Sequence, residues 1–331
     1  MEELVRMNKE FWINKRVLIT GFEGFLGSHL TKTLLTAEAK VVGLDIKTYR
    51  EETILCQSDY EKMTVYKGSV VDHRLLREIL NKHSIDVIFH LAAEALVVRS
   101  QENPCRTFGT NIQGTWQVLE TARRYGKIKA IVVASSDKAY GSHKKLPYHE
   151  DMPLIANHPY DVSKSCADLI SRTYAHTYGL PLAITRCGNI YGPGDFNFSR
   201  LIPDAIRCSL TNKTLLIRSD GKFVRDYVYA DDIVNGYMLL AEKLPDSKIA
   251  GEAFNFSNET PLTVLEVVEE ISRAGGSKLQ YKIMNSAEYE IKRQYLESKK
   301  SKNFLEWEPR HTFSEGINET MGWFKSASII N

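Results

Sequence analysis

No run of about 18 or more apolar residues occurs in the 331-residue sequence, so no segment reads as a membrane-spanning helix. The start Met1-Glu2-Glu3-Leu4 lacks the basic and then apolar pattern of a signal peptide. Cysteine is sparse: five residues, at 56, 105, 166, 187 and 208, odd in number and never in Cys-x-x-Cys spacing. That pattern argues against both a disulfide framework and a zinc site, and reduced thiols in the cytoplasm are expected. The nine histidines form neither His-x-x-x-His nor His-Glu-x-x-His, so no metal is expected. Charge of one sign is missing too: 43 Lys and Arg face 41 Asp and Glu. The net charge of +2 gives no electrostatic reason for a nucleic acid or a membrane surface as partner. No internal repeat or low-complexity tract appears. What is left is an ordinary globular composition, 43% hydrophobic and 25% charged, long enough for two domains or for one large domain with an appended lobe.

The N-terminal region carries the first strong pattern. Arg16-Val17-Leu18-Ile19-Thr20 is a short β-branched run leading into Gly21-Phe22-Glu23-Gly24-Phe25-Leu26-Gly27 and then a helix-forming stretch. Glycines at 21, 24 and 27 permit a tight turn, close backbone approach to a pyrophosphate, and close packing of helix on strand. The helix N-terminus would offer its unpaired N–H groups to the phosphates. A second apolar run ends at Asp45, 18 residues after Gly27, where an acid would grip a ribose 2′-hydroxyl. Lys47, two residues on, could soften the resulting preference for NAD over NADP.

Strands and helices then alternate through about residue 190. Strands are expected at 63–66, 86–90, 130–134 and 181–186, with helices at 74–82, 104–125 and from Tyr160 to Tyr178, closed by Gly179. Such βαβ alternation predicts a doubly wound parallel sheet, an α/β Rossmann architecture. Ligands on these sheets lie beyond the carboxyl ends of the strands, and Asp45, Ser69, Ala92, Ser136 and Asn189 all fall there. The division expected is a dinucleotide-binding domain over 1–189 and a smaller substrate lobe over 190–331, some of which returns to the first domain. In the lobe, a helix is expected at 202–210, a strand at 214–217 and one aromatic strand at 223–229, with Asp231-Asp232 capping the next helix. Glu297 to Lys302 reads as a solvated helix start.

Two clusters carry the chemistry. Ser135-Ser136-Asp137-Lys138-Ala139-Tyr140-Gly141 follows an apolar strand, and Tyr160-Asp161-Val162-Ser163-Lys164 is a Tyr-x-x-x-Lys. Residues at i and i+4 share a helix face, so the Lys164 ammonium is expected beside the Tyr160 phenol. A nearby cation favours phenolate and would lower the phenol's pKa from about 10 toward working pH. Tyr160 is thus a candidate base for a sugar or alcohol hydroxyl, with Ser136 as a second hydrogen-bonding group. The competing structural reading of Asp137-Lys138 is a surface ion pair on a loop.

Taken together with His90-Leu91-Ala92-Ala93-Glu94, Arg186-Cys187-Gly188-Asn189-Ile190-Tyr191-Gly192-Pro193 and Arg225-Asp226-Tyr227-Val228-Tyr229, these motifs resemble the extended short-chain dehydrogenases/reductases. Within them the chain looks like a nucleotide-sugar 4,6-dehydratase. Trp12-Ile13-Asn14-Lys15-Arg16-Val17, Leu201-Ile202-Pro203-Asp204 and Glu290-Ile291-Lys292-Arg293-Gln294-Tyr295-Leu296 resemble the CDP-glucose 4,6-dehydratases most. The resemblance implies that NAD meets Gly21, Glu23, Gly24, Phe25, Leu26, Gly27, Asp45, Ile46, Ser69, Val70, Leu91, Ala92, Ala93, Asn111, Tyr160, Lys164 and Cys187. It implies that a UDP- or CDP-linked sugar meets Glu94, Asn189, Arg200, Leu201, Ile217 and Arg225, with Asn189 and Arg225 on the diphosphate and Leu201 and Ile217 lining the base pocket. The structural alternative for Arg225 is an ion pair with Asp226 or Asp231.

The same resemblance implies roles: Tyr160 takes the C4 hydroxyl proton with Lys164 and Ser136 in support, and Asp137 protonates the departing C6 hydroxyl. The chain departs from the dTDP-glucose enzymes at Lys138, where they carry glutamate. CDP-glucose dehydratases and the C5-inverting UDP-N-acetylglucosamine dehydratases also carry Asp-Lys there. A lysine acts as base only with a lowered pKa. A homodimer through a four-helix bundle of helices 104–125 and 160–178 is implied as well, which would explain apolar or aromatic Phe108, Trp116, Leu169 and Tyr174 on several faces. Other readings stay open: a reductase and C5-epimerase of a UDP-6-deoxy-hexosamine 5,6-ene, a 4-epimerase, and a cofactor-binding regulatory protein of the same fold.

Overall fold

The computed structural model describes residues 8–245, 249–286 and 290–326, so the Met1–Leu4 start lies outside them. Six strands form in the first part of the chain: β1 (Arg16–Thr20), β2 (Lys40–Asp45), β3 (Thr64–Lys67), β4 (Val87–His90), β5 (Ala130–Ala134) and β6 (Leu182–Cys187). After them come β7 (Asn189–Tyr191), β8 (Leu215–Ile217), β9 (Val224–Arg225), β10 (Tyr227–Tyr229), β11 (Ala253–Phe256), β12 (Leu262–Thr263), β13 (Tyr281–Ile283) and β14 (Arg293–Gln294). Seven of them make one parallel sheet in the order β11-β6-β5-β4-β1-β2-β3. Both faces are covered, as their unbroken apolar sequences require. Alternate residues enter opposite cores. Val17, Ile19, Val87, Phe89 and Val132 pack with the helices Phe25–Thr36 and Ala230–Lys243. Leu18, Ile88, Ile131 and Val133 pack with His73–His83 and Gly114–Tyr125.

The strand order reverses direction between β1 and β4, which opens a crevice at their carboxyl ends. Two buried charges brace the β6 side of the sheet. The Arg186 guanidinium binds Asp168 twice, at 2.8 and 2.9 Å, and donates to the Tyr140 hydroxyl at 2.9 Å. A third core lies in the C-terminal lobe, where Ile206, Ile217, Tyr229, Val267, Ile271 and Ile317 meet.

Four expectations need correction. The segment 223–229 is two strands in two sheets: β9 pairs with β12 and β14, whereas β10 pairs with β7. The break falls at Asp226, whose carboxylate is buried and accepts the Ser257 hydroxyl. Asp231 and Asp232 do not cap the following helix; its N-cap is Tyr229. Their carboxylates accept instead from His29 (2.8 Å) and His311 (3.0 Å), though first-turn acids still suit the helix dipole. Helix 104–125 is interrupted at Gly109–Gln113 by a π-helical turn carrying Asn111, a distortion frequent at functional sites. The 297–302 segment is a helix start, but Ser298 and Ser301 are buried and bond the carbonyls of Ser257 and Asn255.

Candidate functional site

The glycine turn is as tight as the sequence pattern demands. Gly21 has φ +76°, and a Cβ on Gly27 would stand 2.1 Å from the Gly21 carbonyl oxygen. A Cβ on Gly21 would stand 2.7 Å from the Ala92 nitrogen, so the turn and the loop after β4 are in contact. Leu91 N–H donates to the Thr20 carbonyl at 3.0 Å, and Ala92 N–H to its hydroxyl at 3.3 Å. The helix beginning at Phe25 has no side-chain cap, which leaves its first N–H groups to the crevice. Asp45 reaches this turn: its Oδ2 accepts Glu23 N–H at 3.3 Å and its Oδ1 accepts Lys47 N–H at 3.2 Å. Burial pushes its carboxyl above the usual range. Ile46 beside it is 53% exposed.

Several expected cofactor residues turn inward. The Glu23 carboxylate is buried and accepts Tyr49 N–H at 2.7 Å and the Tyr60 hydroxyl at 3.0 Å. Leu26 packs against the core of the sheet's first face. Val70 is in the other core, where it meets Gly114. The Cys187 thiol faces the Tyr237 hydroxyl at 3.8 Å, and burial pushes its pKa up to about 12. Only backbone atoms or small edges of these residues are left for a ligand. Asn111, in contrast, is a clamp. Its amide accepts Glu94 N–H at 2.7 Å, donates to Glu94 C=O at 3.1 Å and donates to Ser163 Oγ at 2.8 Å. The loop after β4, which includes Ala93, is thereby tied to the Pro159–Tyr178 helix that carries Tyr160.

The two reactive clusters do meet. Ser136 caps the short 3₁₀ turn Asp137–Tyr140, donates to Asp137 Oδ1 at 3.0 Å, and lies beside the Tyr160 phenol, whose pKa it helps hold down. Tyr160, Ser136 and Asp137 therefore gather in one cluster. Asp137 is 4% exposed, so the surface-pair reading fails, and burial raises its carboxyl pKa. Lys138 donates not to Asp137 but to Gln294 Oε1 at 2.7 Å. Burial, with Arg225 nearby, lowers its pKa, the direction a base requires.

The expectation for the phenol is overturned. Lys164 Nζ donates to the Ala134 carbonyl at 2.8 Å and stands 6.0 Å from the Tyr160 ring centre. Burial pushes Tyr160 up to about 12, and the cation that most opposes this is Arg200 rather than Lys164. Desolvation of the anion outweighs the cation here. Burial also brings Lys164 down to about 8.

In the lobe, Asn189 N–H donates to the Asp226 carbonyl at 2.8 Å. Arg200 pairs with Asp195 at 3.2 Å at the start of the Leu201–Thr211 helix, and Ile217 ends β8 in the lobe core. Arg225 pairs with neither Asp226 nor Asp231. It lies 3.9 Å from Glu290 and donates to Val224 C=O at 2.9 Å, facing the Asp137–Lys138 cluster. Sequence reasoning missed three groups of this cluster. They are Gln294, the buried Asp161, pushed up to about 6, and the buried Asp226, pushed up to about 7, each by desolvation first. Asp161 had a signal in its place inside the Tyr-x-x-x-Lys; Gln294 lay within the 290–296 segment that carries the resemblance, but nothing in that segment tied it to Lys138. A cleft of about 340 Å³ lies elsewhere, against Glu150, Arg172, Glu252 and Lys300, with Lys300 already bound to Glu252 at 2.6 Å.

A doubly wound sheet with a glycine-rich phosphate turn and a Tyr-x-x-x-Lys helix at one rim defines a dinucleotide-dependent short-chain dehydrogenase/reductase. The chain belongs to the GDP-mannose 4,6 dehydratase family, whose model matches residues 18–320. It is 30% identical to CDP-glucose 4,6-dehydratase of Salmonella typhimurium, over 97% of this chain and 93% of that protein. Among solved structures, dTDP-glucose 4,6-dehydratase of Bacillus anthracis in complex with NAD superposes with a TM-score of 0.83 at 30% identity, covering 94% and 97% of the two chains. UDP-glucose 4-epimerase of Thermotoga maritima with UDP-glucose gives 0.85 at 28% identity, covering 95% and 99%. Dehydratases and epimerases thus stand at similar distances.

Proposed function

We propose that this chain is an NAD-dependent 4,6-dehydratase of a UDP- or CDP-linked hexose. The observation that carries the reading is the buried Asp137, bonded by Ser136, close to Tyr160 and flanked by Lys138. A 4-epimerase or plain dehydrogenase has no leaving group for such an acid to protonate. The turn fits NAD: a Cβ at Gly21 or Gly27 would collide with backbone, and Asp45 reaches the turn from the end of β2, where it would bind the ribose diol and repel a 2′-phosphate. When bound, NAD would accept hydride from C4 and return it to C6.

Tyr160 takes the C4 hydroxyl proton, with Ser136 holding the oxygen. The 4-keto group acidifies C5–H, whose proton passes to Lys138 Nζ. The C6–O bond then breaks, and Asp137 gives its proton to the departing hydroxyl, releasing water. Lys138 later returns a proton to C5. Asn189, Arg200 and Arg225 bind the diphosphate, Leu201 and Ile217 the base, and Glu94 the sugar end. Arg225 suits phosphate by its planar fork once it leaves its carbonyl partners. In this division residues 1–189 hold the cofactor and 190–331 mainly the nucleotide sugar, with β11 back in the main sheet.

The test is incubation with CDP-glucose, UDP-N-acetylglucosamine and its 5,6-ene, with product NMR and mass spectrometry of the released cofactor. Loss of water from a saturated 6-hydroxy sugar and recovery of NAD are expected. Consumption of the ene alone identifies the reductase–epimerase instead, and a change at C4 alone the epimerase. NADP as the main species defeats the role given to Asp45.

We also propose a homodimer. Trp116, 40% exposed, and Leu169, 52% exposed, lie on helices Gly114–Tyr125 and Pro159–Tyr178 and would be covered by a second copy. Light scattering is expected to give twice 37.7 kDa at micromolar concentration, and a monomer mass removes the dimer. No helix among the described residues is long and apolar enough to cross a membrane. The five free thiols, Cys56 and Cys105 among them exposed, fit a reducing cytoplasm.

A further inference from the structure

Lys138 is held by a side chain 156 positions further along the sequence. Gln294 lies in β14, which runs parallel to β9 and sets Gln294 opposite Arg225. Its side chain is fully buried, and its amide nitrogen has no partner among the described residues. Among the described residues, the hydrogen bond from Lys138 is the one that orients the amide. Lysine offers donors and no acceptor, so the amide oxygen must face it.

A neutral oxygen here has a consequence that a carboxylate would not. It fixes where the amine points without adding a charge that would retain the proton. Asp137 faces Lys138 from its own turn, Asp161 from the Tyr160 helix, Arg225 from β9 and Glu290 from the segment before β14. The acids favour the ammonium, while Arg225 and burial oppose it. A carboxylate at 294 would tip that balance.

Resting on the dehydratase reading, we propose that Gln294 is the positioning residue for Lys138: its amide oxygen aims the amine at C5 of the sugar and keeps it able to lose its proton. The residue touches no reacting atom itself and acts through Lys138.

The test uses the full-length protein with its cofactor. Competitive acetylation of Lys138 with acetic anhydride, followed by mass spectrometry across pH, reads the amine's titration without any substrate. The wild-type midpoint is expected below the ordinary lysine value of about 10.4. Q294E, nearly the same shape, is expected to raise it by about one to three pH units. Q294A is expected to slow exchange of the C5 proton with deuterated solvent about 10- to 100-fold while C4 oxidation, read as nicotinamide reduction, is retained. An unmoved Q294E midpoint overturns the proposal even if Q294A fails to fold. Equal losses of C4 oxidation and C5 exchange in a folded Q294A also overturn it. A shifted midpoint in a protein that exchanges no C5 proton of any saturated sugar keeps the positioning role and rejects the dehydratase reading.

Discussion

Asp137→Asn is expected to stop the loss of water while C4 oxidation continues. Asparagine keeps the shape of the side chain and can still accept the Ser136 hydroxyl, now 3.0 Å from Oδ1, but it has no proton to give. In the native site burial favours the protonated acid over the pull of Lys138 and Arg225. A positioned general acid is worth about 10²- to 10⁴-fold, and the rate of 6-deoxy product formation should fall by that much. Nicotinamide reduction and C5 exchange should persist, so the 4-keto sugar with its C6 hydroxyl should build up to one equivalent per bound cofactor, which stays reduced. Undiminished water loss by the variant would show that another group protonates the leaving oxygen.

Tyr160→Phe acts one step earlier. Without the phenol the site loses its C4 base, and both nicotinamide reduction and product formation should drop about 10²- to 10⁴-fold. The glycine turn and Asp45 still hold the cofactor, so the loss of rate should far exceed any loss of cofactor content. The pH profile adds a second reading. With the free-protein phenol pushed up to about 12, the phenolate fraction below that pH rises with pH. C4 oxidation at low substrate should therefore increase about tenfold per unit between roughly pH 6 and 8. A flat profile with a fully active Phe variant would remove Tyr160 as the base.

The misplaced phenol shift shows what spacing can and cannot say. The i, i+4 relation put Lys164 on the same helix face as Tyr160, and the Pro159–Tyr178 helix is there. Spacing could not reveal that the Ala134 carbonyl takes the ammonium, or that desolvation dominates at Tyr160. The 223–229 run likewise has strand character throughout, yet it changes sheets at Asp226. That break depends on Ser257 and on the register with β7, both distant in sequence.

By itself the sequence determined what short-range physics controls. The β-branched runs became buried parallel strands, the three glycines a turn with no room for a Cβ at Gly21 or Gly27, and Gly179 at φ +68° the left-handed end of the Tyr160 helix. The charge balance, scattered cysteines and proximity of Ser136 and Asp137 are likewise properties of neighbours along the chain. Only the tertiary structure decided which distant groups share a low-dielectric space. It brought Gln294 to Lys138 and Arg225 to the Asp137 cluster, and it buried Asp161 and Asp226 near them. Proton affinities in such a site follow from burial and from charges that converge across the fold, and neither quantity has a period or a motif in the sequence.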